Sequence, residues 1–226
     1  MKSSTPWMAI LLVLTLGSTL PSAAFASAEE PLFREARTFL ASLGEQIIDV
    51  ARDKVSPRRV RESRIRDRLR EDFDLNVISR IVLGKHWRRI SQDQHKMFIE
   101  VFTDAMVQQI LTLFAKYSGE TFDITAVGSD RTNDKLIAIT VTVMRSNGTL
   151  LAKVYWRILK DGDHFKVVDI VIEGISLALT LRHEYAAVIE RSDGRVDGLI
   201  EQLRKSFARK QDSNNAGTGQ RSDARR

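Results

Sequence analysis

The chain of 226 residues contains no cysteine. This excludes disulfide bonds, thiolate catalysis, metal sites with cysteine ligands and an acylated N-terminal cysteine as a membrane tether. The sequence also lacks the Walker phosphate loop, the glycine fingerprint of dinucleotide-binding proteins and the Gly-x-Ser-x-Gly nucleophile turn. No two of the four histidines have the i, i+4 spacing of a helical zinc site. The motif search therefore gives no indication of an enzyme.

Long apolar runs are missing after the N-terminus. Met8 to Leu20 is apolar but short for a membrane span, and Lys2 supplies a positive charge before it. Small residues around Ala26 and Ala28 form two overlapping A-x-A cleavage sites. We expect residues 1–26 to be a secretory signal peptide, cleaved after Ala26 or Ala28, with an uncleaved anchor as the alternative. The mature protein is expected to be soluble and exported.

Most of the net charge of +6 belongs to the end of the chain. Residues 204–226 carry 7 basic and 2 acidic side chains, whereas residues 29–203 carry 27 of each. A folded part without excess positive charge argues against nucleic acid as a partner. The composition predicts one domain over residues 29–209 and a disordered basic tail over residues 210–226.

Helical spacing of apolar residues dominates the first half of the chain. Residues 31–50 fit a first helix, and further helices can begin at Pro57 and at Phe73. Ser91 and Gln94 form a capping box in front of a long helix with a wide stripe of Phe and Met. The second helix is dense in arginine with acids interspersed, which is typical of a solvated face and leaves open a patch for anionic lipid or a partner.

After Gly119 the apolar period changes to two, which predicts strands. The dipeptides Asn147-Gly148 and Asp161-Gly162 are typical of tight hairpins. Four strands joined by such turns form an antiparallel meander whose apolar face needs a cover of helices. The strands are predicted around residues 122–126, 137–143, 154–158 and 168–172, and two helices follow them.

The stripe of the long helix and the apolar face of the strands are the main candidates for a binding site. Periodicity does not distinguish an ordinary helix-on-sheet core from a cavity between helix and sheet. Phe and Met suit an adaptable lining, because methionine has soft torsions and a polarisable sulfur. The residues expected to line such a cavity are Phe73, Phe98, Phe102, Met106, Ile110, Phe114, Ile139, Val141, Val143, Val154, Trp156 and Ile170.

Several segments, taken in order, resemble the MlaC family, also called the toluene-tolerance family. They are Phe73-Asp74, the VLGKHWR segment of residues 82–88, the capping box with the helix that follows it, and residues 168–203. The resemblance covers residues 50–205. The chain departs from the family pattern in its very basic second helix and its long basic tail.

The resemblance implies an α+β fold with a four-stranded twisted antiparallel sheet wrapped by six or seven helices. It also implies an apolar lipid cavity between sheet and helices, with the head group near solvent. The expected function is a periplasmic phospholipid shuttle between inner and outer membranes, monomeric and without a cofactor. Its expected partners are an inner-membrane ABC/MCE-type transporter complex and an outer-membrane lipoprotein–porin complex.

Three alternatives stay open at this point. The carrier could take another lipid, such as a hopanoid. The chain could be a small exported enzyme that uses a cleft acid such as Asp169 or Glu173. It could also be a protein that binds anionic membrane through its basic helix and tail without extracting lipid, and high salt would then abolish binding.

Overall fold

The computed structural model describes residues 30–219 of the chain, with side chains described as far as Arg209. Within those residues the fold is α+β, with six α-helices, one 3-10 helix and five strands. The helices are α1 (Pro31–Arg52), α2 (Arg58–Asp72), α3 (Leu75–Leu83), the 3-10 helix (Gly84–Arg89), α4 (Gln92–Phe114), α5 (Leu177–Arg191) and α6 (Val196–Gly219). The strands are β1 (Thr121–Ser129), β2 (Leu136–Met144), β3 (Leu150–Asp161), β4 (His164–Ile172) and β5 (Ile175–Ser176). The predicted signal peptide lies outside the described residues.

Local signals account for where the helices begin. Pro31 occupies the first turn of α1, where a missing N–H removes no helical hydrogen bond. Asp74 caps α3 by accepting a hydrogen bond from the backbone N–H of Val77 at 2.9 Å. The capping box predicted for α4 is confirmed, because Gln94 donates its N–H to Ser91 Oγ and Ser91 donates its N–H to Gln94 Oε1.

The strands form one open antiparallel sheet in chain order, β1-β2-β3-β4-β5. Both predicted tight turns are confirmed. Gly148 and Gly162 adopt φ angles of 79° and 58°, in the left-handed region that glycine enters without steric cost. The pairing of Ile124 with Val141 and of Val141 with Val154 places apolar side chains of β1, β2 and β3 on one face of the sheet.

The prediction of four strands is wrong by one. The chain turns at Glu173 and Gly174 and pairs again with the end of β4 as the two-residue strand Ile175–Ser176. A strand of two residues is too short to show alternation, so periodicity misses it. Ser176 then begins α5, because its hydroxyl accepts a hydrogen bond from the N–H of Leu179 at 3.1 Å.

The helices cover the sheet unequally. Helix α1 packs on β1 and β2, whereas α2, α3 and α5 pack on β4. Helix α4 has its main contacts with other helices, α6, α2, α3 and α1. By length and composition α4 could also cross a bilayer, and 39% of its most apolar segment is buried inside the protein. Helix α4 therefore covers the sheet less than α1 does.

Helix α6 extends to Gly219, whereas the composition predicts disorder from residue 210. Its first turns are anchored in the core by Val196, Leu199 and Ile200. Lengthening an existing helix adds one hydrogen bond per residue without a new nucleus, so a polar segment can continue a packed helix. Residues 220–226 lie outside the described residues.

Candidate functional site

An apolar cavity lies between α1 and the sheet, with a volume of about 210 Å³. It is larger than an engineered cavity of about 150 Å³ that admits benzene. It is smaller than the roughly 300–1,000 Å³ of most small-molecule sites. Its lining residues are Leu40, Gly44, Ile47, Ile48, Ala51, Phe114, Tyr117, Glu120, Thr121, Phe122, Val141, Val143, Val154 and Trp156.

Helix α1 supplies one wall through the single stripe of its surface that faces the sheet. Leu40, Ile47 and Ala51 recur at the spacing of one helix face. Gly44 lies in the middle of this stripe and permits a close approach. A Cβ atom at residue 44 would lie 2.8 Å from Cε2 and 2.9 Å from Cε1 of Phe122. The absence of a side chain at Gly44 therefore lets the Phe122 ring lie against α1.

The sheet supplies the opposite wall through side chains that alternate onto one face. Val141 of β2 is paired with Val154 of β3, and Val143 and Trp156 lie two residues farther along their strands on the same face. The Trp156 ring also meets Phe73 edge-on, with 6.4 Å between ring centroids. The sheet wall therefore combines the aliphatic side chains of Val141, Val143 and Val154 with the aromatic rings of Phe122 and Trp156.

Polar and charged groups border the cavity beside Tyr117. The Tyr117 hydroxyl donates to the carbonyl oxygen of Glu120 at 3.1 Å and accepts from Nε of Arg52 at 3.3 Å. The Lys54 ammonium donates to the carbonyl oxygen of Phe114 at 2.9 Å and lies 6.0 Å from the Tyr117 ring centroid. Two cations are therefore positioned next to an otherwise apolar cavity.

The one acid of the lining points to its own loop. Ser118 donates both its backbone N–H and its hydroxyl to the Glu120 carboxylate, each at 2.8 Å. These hydrogen bonds lower the pKa of Glu120 below its ordinary value, so the carboxylate is charged at neutral pH. The negative charge is therefore stabilised mainly by the two hydrogen bonds from Ser118.

Five of the twelve predicted lining residues border this cavity, and seven do not. The five are Phe114, Val141, Val143, Val154 and Trp156. The seven outside its lining are Phe73, Phe98, Phe102, Met106, Ile110, Ile139 and Ile170. Contact of any of the twelve with a lipid stays a prediction.

Phe98 and Phe102 lie in a closed aromatic cluster instead. Their rings stack at 5.6 Å, and each meets Tyr185 of α5 edge-on at 6.3 Å. Phe98 and Phe102 are 0% and 1% exposed. Burial, followed by the nearby charge of Glu184, raises the pKa of Tyr185 to about 12. The stripe of α4 is thus divided, with its N-terminal half against helices and its last residue at the cavity.

Sequence reasoning missed the wall supplied by α1. The signal was present, because Leu40, Ile47 and Ile48 belong to the apolar stripe that predicts the helix. The missing step was the direction of the stripe, which periodicity alone does not give. Gly44 was the additional clue, since a glycine inside a helix often marks a close approach.

The arginines of α2 are more fully paired than the acids of α2 alone permit. Arg64 binds Asp53 at 3.0 Å, and Arg66 binds Asp104 of α4. The other two paired arginines, Arg58 and Arg68, use acids of α2 itself. Two of these four arginines therefore use acids outside α2, and a role of the remaining α2 surface in binding a partner or anionic lipid stays a prediction.

The two candidate catalytic acids have structural contacts. The Asp169 carboxylate accepts from Arg157 at 3.1 Å, from the Ser176 hydroxyl at 2.6 Å and from the N–H of Ala178 at 3.2 Å. Glu173 accepts from the backbone N–H of Lys153 at 3.1 Å. Across residues 30–209, no cluster of three or more His, Asp and Glu side chains is arranged to hold a metal ion.

The structure is an α+β domain with an apolar cavity between α1 and the sheet. The chain belongs to the MlaC family, whose model matches residues 42–205. A solved structure of a phospholipid-binding protein from Ralstonia solanacearum, in complex with a phospholipid, has a TM-score of 0.62 with this chain. It is 19% identical and aligns over 78% of this chain and 97% of its own. No curated protein matches the sequence.

Proposed function

We propose that this protein is a periplasmic phospholipid shuttle that serves an ABC-type lipid transport system. The apolar cavity between α1 and the sheet carries the proposal. Membership of the MlaC family and the fold shared with a phospholipid-binding protein support it. In this proposal phospholipid is the cargo and the protein uses no cofactor. Its partners are an inner-membrane ABC/MCE-type complex and an outer-membrane lipoprotein–porin complex.

The physical role of the cavity is to hide acyl chains from water. Burial of each methylene group contributes about 0.8 kcal/mol, so about ten methylenes contribute about 8 kcal/mol. A cavity of about 210 Å³ holds only part of a phospholipid tail. Loading of a whole tail therefore requires α1 to move away from the sheet. In this proposal α1 and the edge strand β1 separate at the contact between Gly44 and Phe122.

The rim suits the polar end of a lipid. Arg52 and Lys54 lie beside Tyr117, within reach of a head group whose tails enter the cavity. A phosphate at this position would accept charge-assisted hydrogen bonds while staying in contact with water. The rim fits a phospholipid better than a hopanoid, because a hopanoid has no phosphate for these cations.

The competing functions have less support. The enzyme hypothesis needs a free acid in a cleft, whereas Asp169 is 8% exposed and its carboxylate accepts several hydrogen bonds. The hypothesis of a purely surface-acting protein relies on the arginines of α2, four of which bind acids of the protein itself. Neither hypothesis gives a role to the cavity.

The test is native mass spectrometry of the purified protein, followed by extraction of the bound lipid. We expect phospholipid on the wild-type protein and a several-fold lower occupancy in Val143→Asn. Val143 lines the cavity, and an amide there would face an acyl chain without a hydrogen-bond partner, which costs about 1–3 kcal/mol.

Thr142→Asn is the matched control, because Thr142 lies next to Val143 on the opposite face of β2. It should retain wild-type occupancy and a similar melting temperature. Wild-type protein that carries no lipid, or equal occupancy in both variants, would contradict the proposal.

A further inference from the structure

A second concave surface lies at the junction of α3, the 3-10 helix and α5. We call it the basic pocket, and its volume is about 580 Å³. Its lining is cationic except for a glycine and an indole. The lining residues are Arg80, Gly84, Lys85, Trp87, Arg88 and Arg182.

The sequence builds this pocket around Gly84. Gly84 ends α3 with φ +53° and turns the chain into the 3-10 helix, which places Lys85 and Arg88 beside the last turn of α3. A Cβ atom at residue 84 would lie 2.7 Å from Nε of Arg182. Because Gly84 has no side chain, Arg182 of α5 can lie against the C-terminal end of α3.

The charges of the basic pocket are not neutralised within the protein. Among residues 30–209, no hydrogen bond or ion pair involves the side chains of Arg80, Arg88 or Arg182. Lys85 has a loose contact of 4.0 Å with Glu190. The partial negative charge at the C-terminal end of α3 accounts for one cation there, such as Arg182. It does not account for four cations in one concavity, where the field of like charges favours an anion.

The basic pocket is separate from the apolar cavity. The two share no lining residue. Trp87 stacks on His95 in the first turn of α4, at 3.9 Å between ring centroids, whereas Phe114 ends the same helix at the cavity. Phe114 follows His95 by 19 positions, which corresponds to about 30 Å along the helix. A lipid whose tails occupy the cavity does not place its phosphate here.

We propose that the basic pocket is a binding site for a phosphate group. Arginine presents a planar fork that matches phosphate oxygens in a bidentate manner. Free phosphate carries between one and two negative charges at neutral pH and the phosphodiester of a lipid head group carries one, so the field of the four cations attracts either. The site gives a role to the VLGKHWR segment and to Arg182, which the apolar cavity does not involve.

The phosphate can come from a lipid head group at a membrane surface or from free phosphate in solution. Leu179 is 47% exposed and lies one turn before Arg182 on the same side of α5. Ile175 in β5, which precedes α5, is 63% exposed. Exposed aliphatic groups beside cations are typical of surfaces that contact anionic lipid. The head-group source rests on the proposed carrier function. It predicts that both lipid-loaded and empty protein bind anionic vesicles, because the basic pocket is separate from the cavity.

The experiment compares two double variants that lose the same charge. Arg80→Gln/Arg88→Gln empties the basic pocket of two cations, and Arg59→Gln/Arg70→Gln removes two exposed cations of α2. Binding is measured by flotation with vesicles of phosphatidylglycerol and phosphatidylcholine, and with inorganic phosphate by calorimetry at constant ionic strength. Melting temperature and bound lipid are measured on the same samples.

We expect the basic-pocket variant to lose about 30-fold in affinity for anionic vesicles, and the α2 variant to lose at most about threefold. In the alternative outcome, the wild type binds inorganic phosphate but not vesicles, and the basic-pocket variant loses that phosphate binding. This combination would support the site with free phosphate as its source. Equal losses in both variants, or no binding of either probe by the wild type, would overturn the site. Bound lipid should be unchanged in both variants, so a failure of the carrier function would show separately as protein without lipid.

Discussion

At the scale of single residues, Asp53 links the end of α1 to the start of α2. One oxygen of its carboxylate accepts the backbone N–H groups of Val55 and Ser56 at 3.1 and 2.8 Å, and the other binds Arg64 at 3.0 Å. Hydrogen bonds from Ser56 are the main cause that lowers the pKa of Asp53 from 3.8 to about 2. The ionised side chain therefore fixes the connection that leads into the basic helix.

This contact predicts a pH dependence of stability. A carboxylate whose pKa is lower in the folded than in the unfolded protein stabilises the folded state when it is ionised. For Asp53 this stabilisation is complete well above pH 3.8 and is lost as the pH falls towards 2. We expect Asp53→Asn to lower the free energy of unfolding at pH 6, with the difference from wild type shrinking below pH 4. Urea unfolding at several pH values measures it.

The control for this prediction is Asp134→Asn. Asp134 lies exposed in the loop before β2 and makes no hydrogen bond within residues 30–209. Its substitution should change stability little at any pH. A difference between wild type and Asp53→Asn that stays constant from pH 6 to pH 2 would contradict the assignment.

At the scale of elements, the contact between α1 and β1 connects packing with the volume of the cavity. A side chain at Gly44 meets the Phe122 ring, and the ring borders free space into which it can rotate. Alanine also favours a helix over glycine by about 1 kcal/mol. We expect Gly44→Ala to change stability by less than about 1 kcal/mol and to lower bound phospholipid several-fold, because the displaced ring fills the cavity.

Gly128→Ala is the matched control on the same strand as Phe122. A Cβ atom at Gly128 would have no neighbour within 4 Å. Its bound lipid and melting temperature should match those of the wild type. Wild-type lipid occupancy in Gly44→Ala would show that the Phe122 ring does not limit the cavity.

Elements differ in how far the sequence predicts them. The capping box of α4 and the turns at Gly148 and Gly162 depend on local chemistry, and each is confirmed. The partners of an apolar stripe depend on tertiary packing, which explains why Phe98 and Phe102 meet Tyr185 instead of bordering the cavity. Periodicity reports which side of a helix is apolar, and leaves open what covers it.

At the scale of the whole molecule, the charge pattern separates two regions. The sequence of α2 is typical of a solvated face and leaves open an interaction patch, and in the structure Asp53 after α1 and Asp104 of α4 bind Arg64 and Arg66. The cations that lack such partners come together from distant parts of the chain, Arg80 and Arg182 among them. Composition gave no sign of the basic pocket, because residues 102 positions apart meet there only through the packing of α5 on α3.

The central claim is that a phospholipid tail occupies the cavity between α1 and the sheet. Photo-crosslinking tests it most directly, with benzoylphenylalanine in place of Phe114 at the cavity or of Tyr155 on the outer face of β3. After irradiation and mass spectrometry, we predict an adduct with the mass of a phospholipid at residue 114 and little or none at residue 155. Equal adducts at both positions, or no adduct at residue 114 in protein that contains lipid, would contradict it.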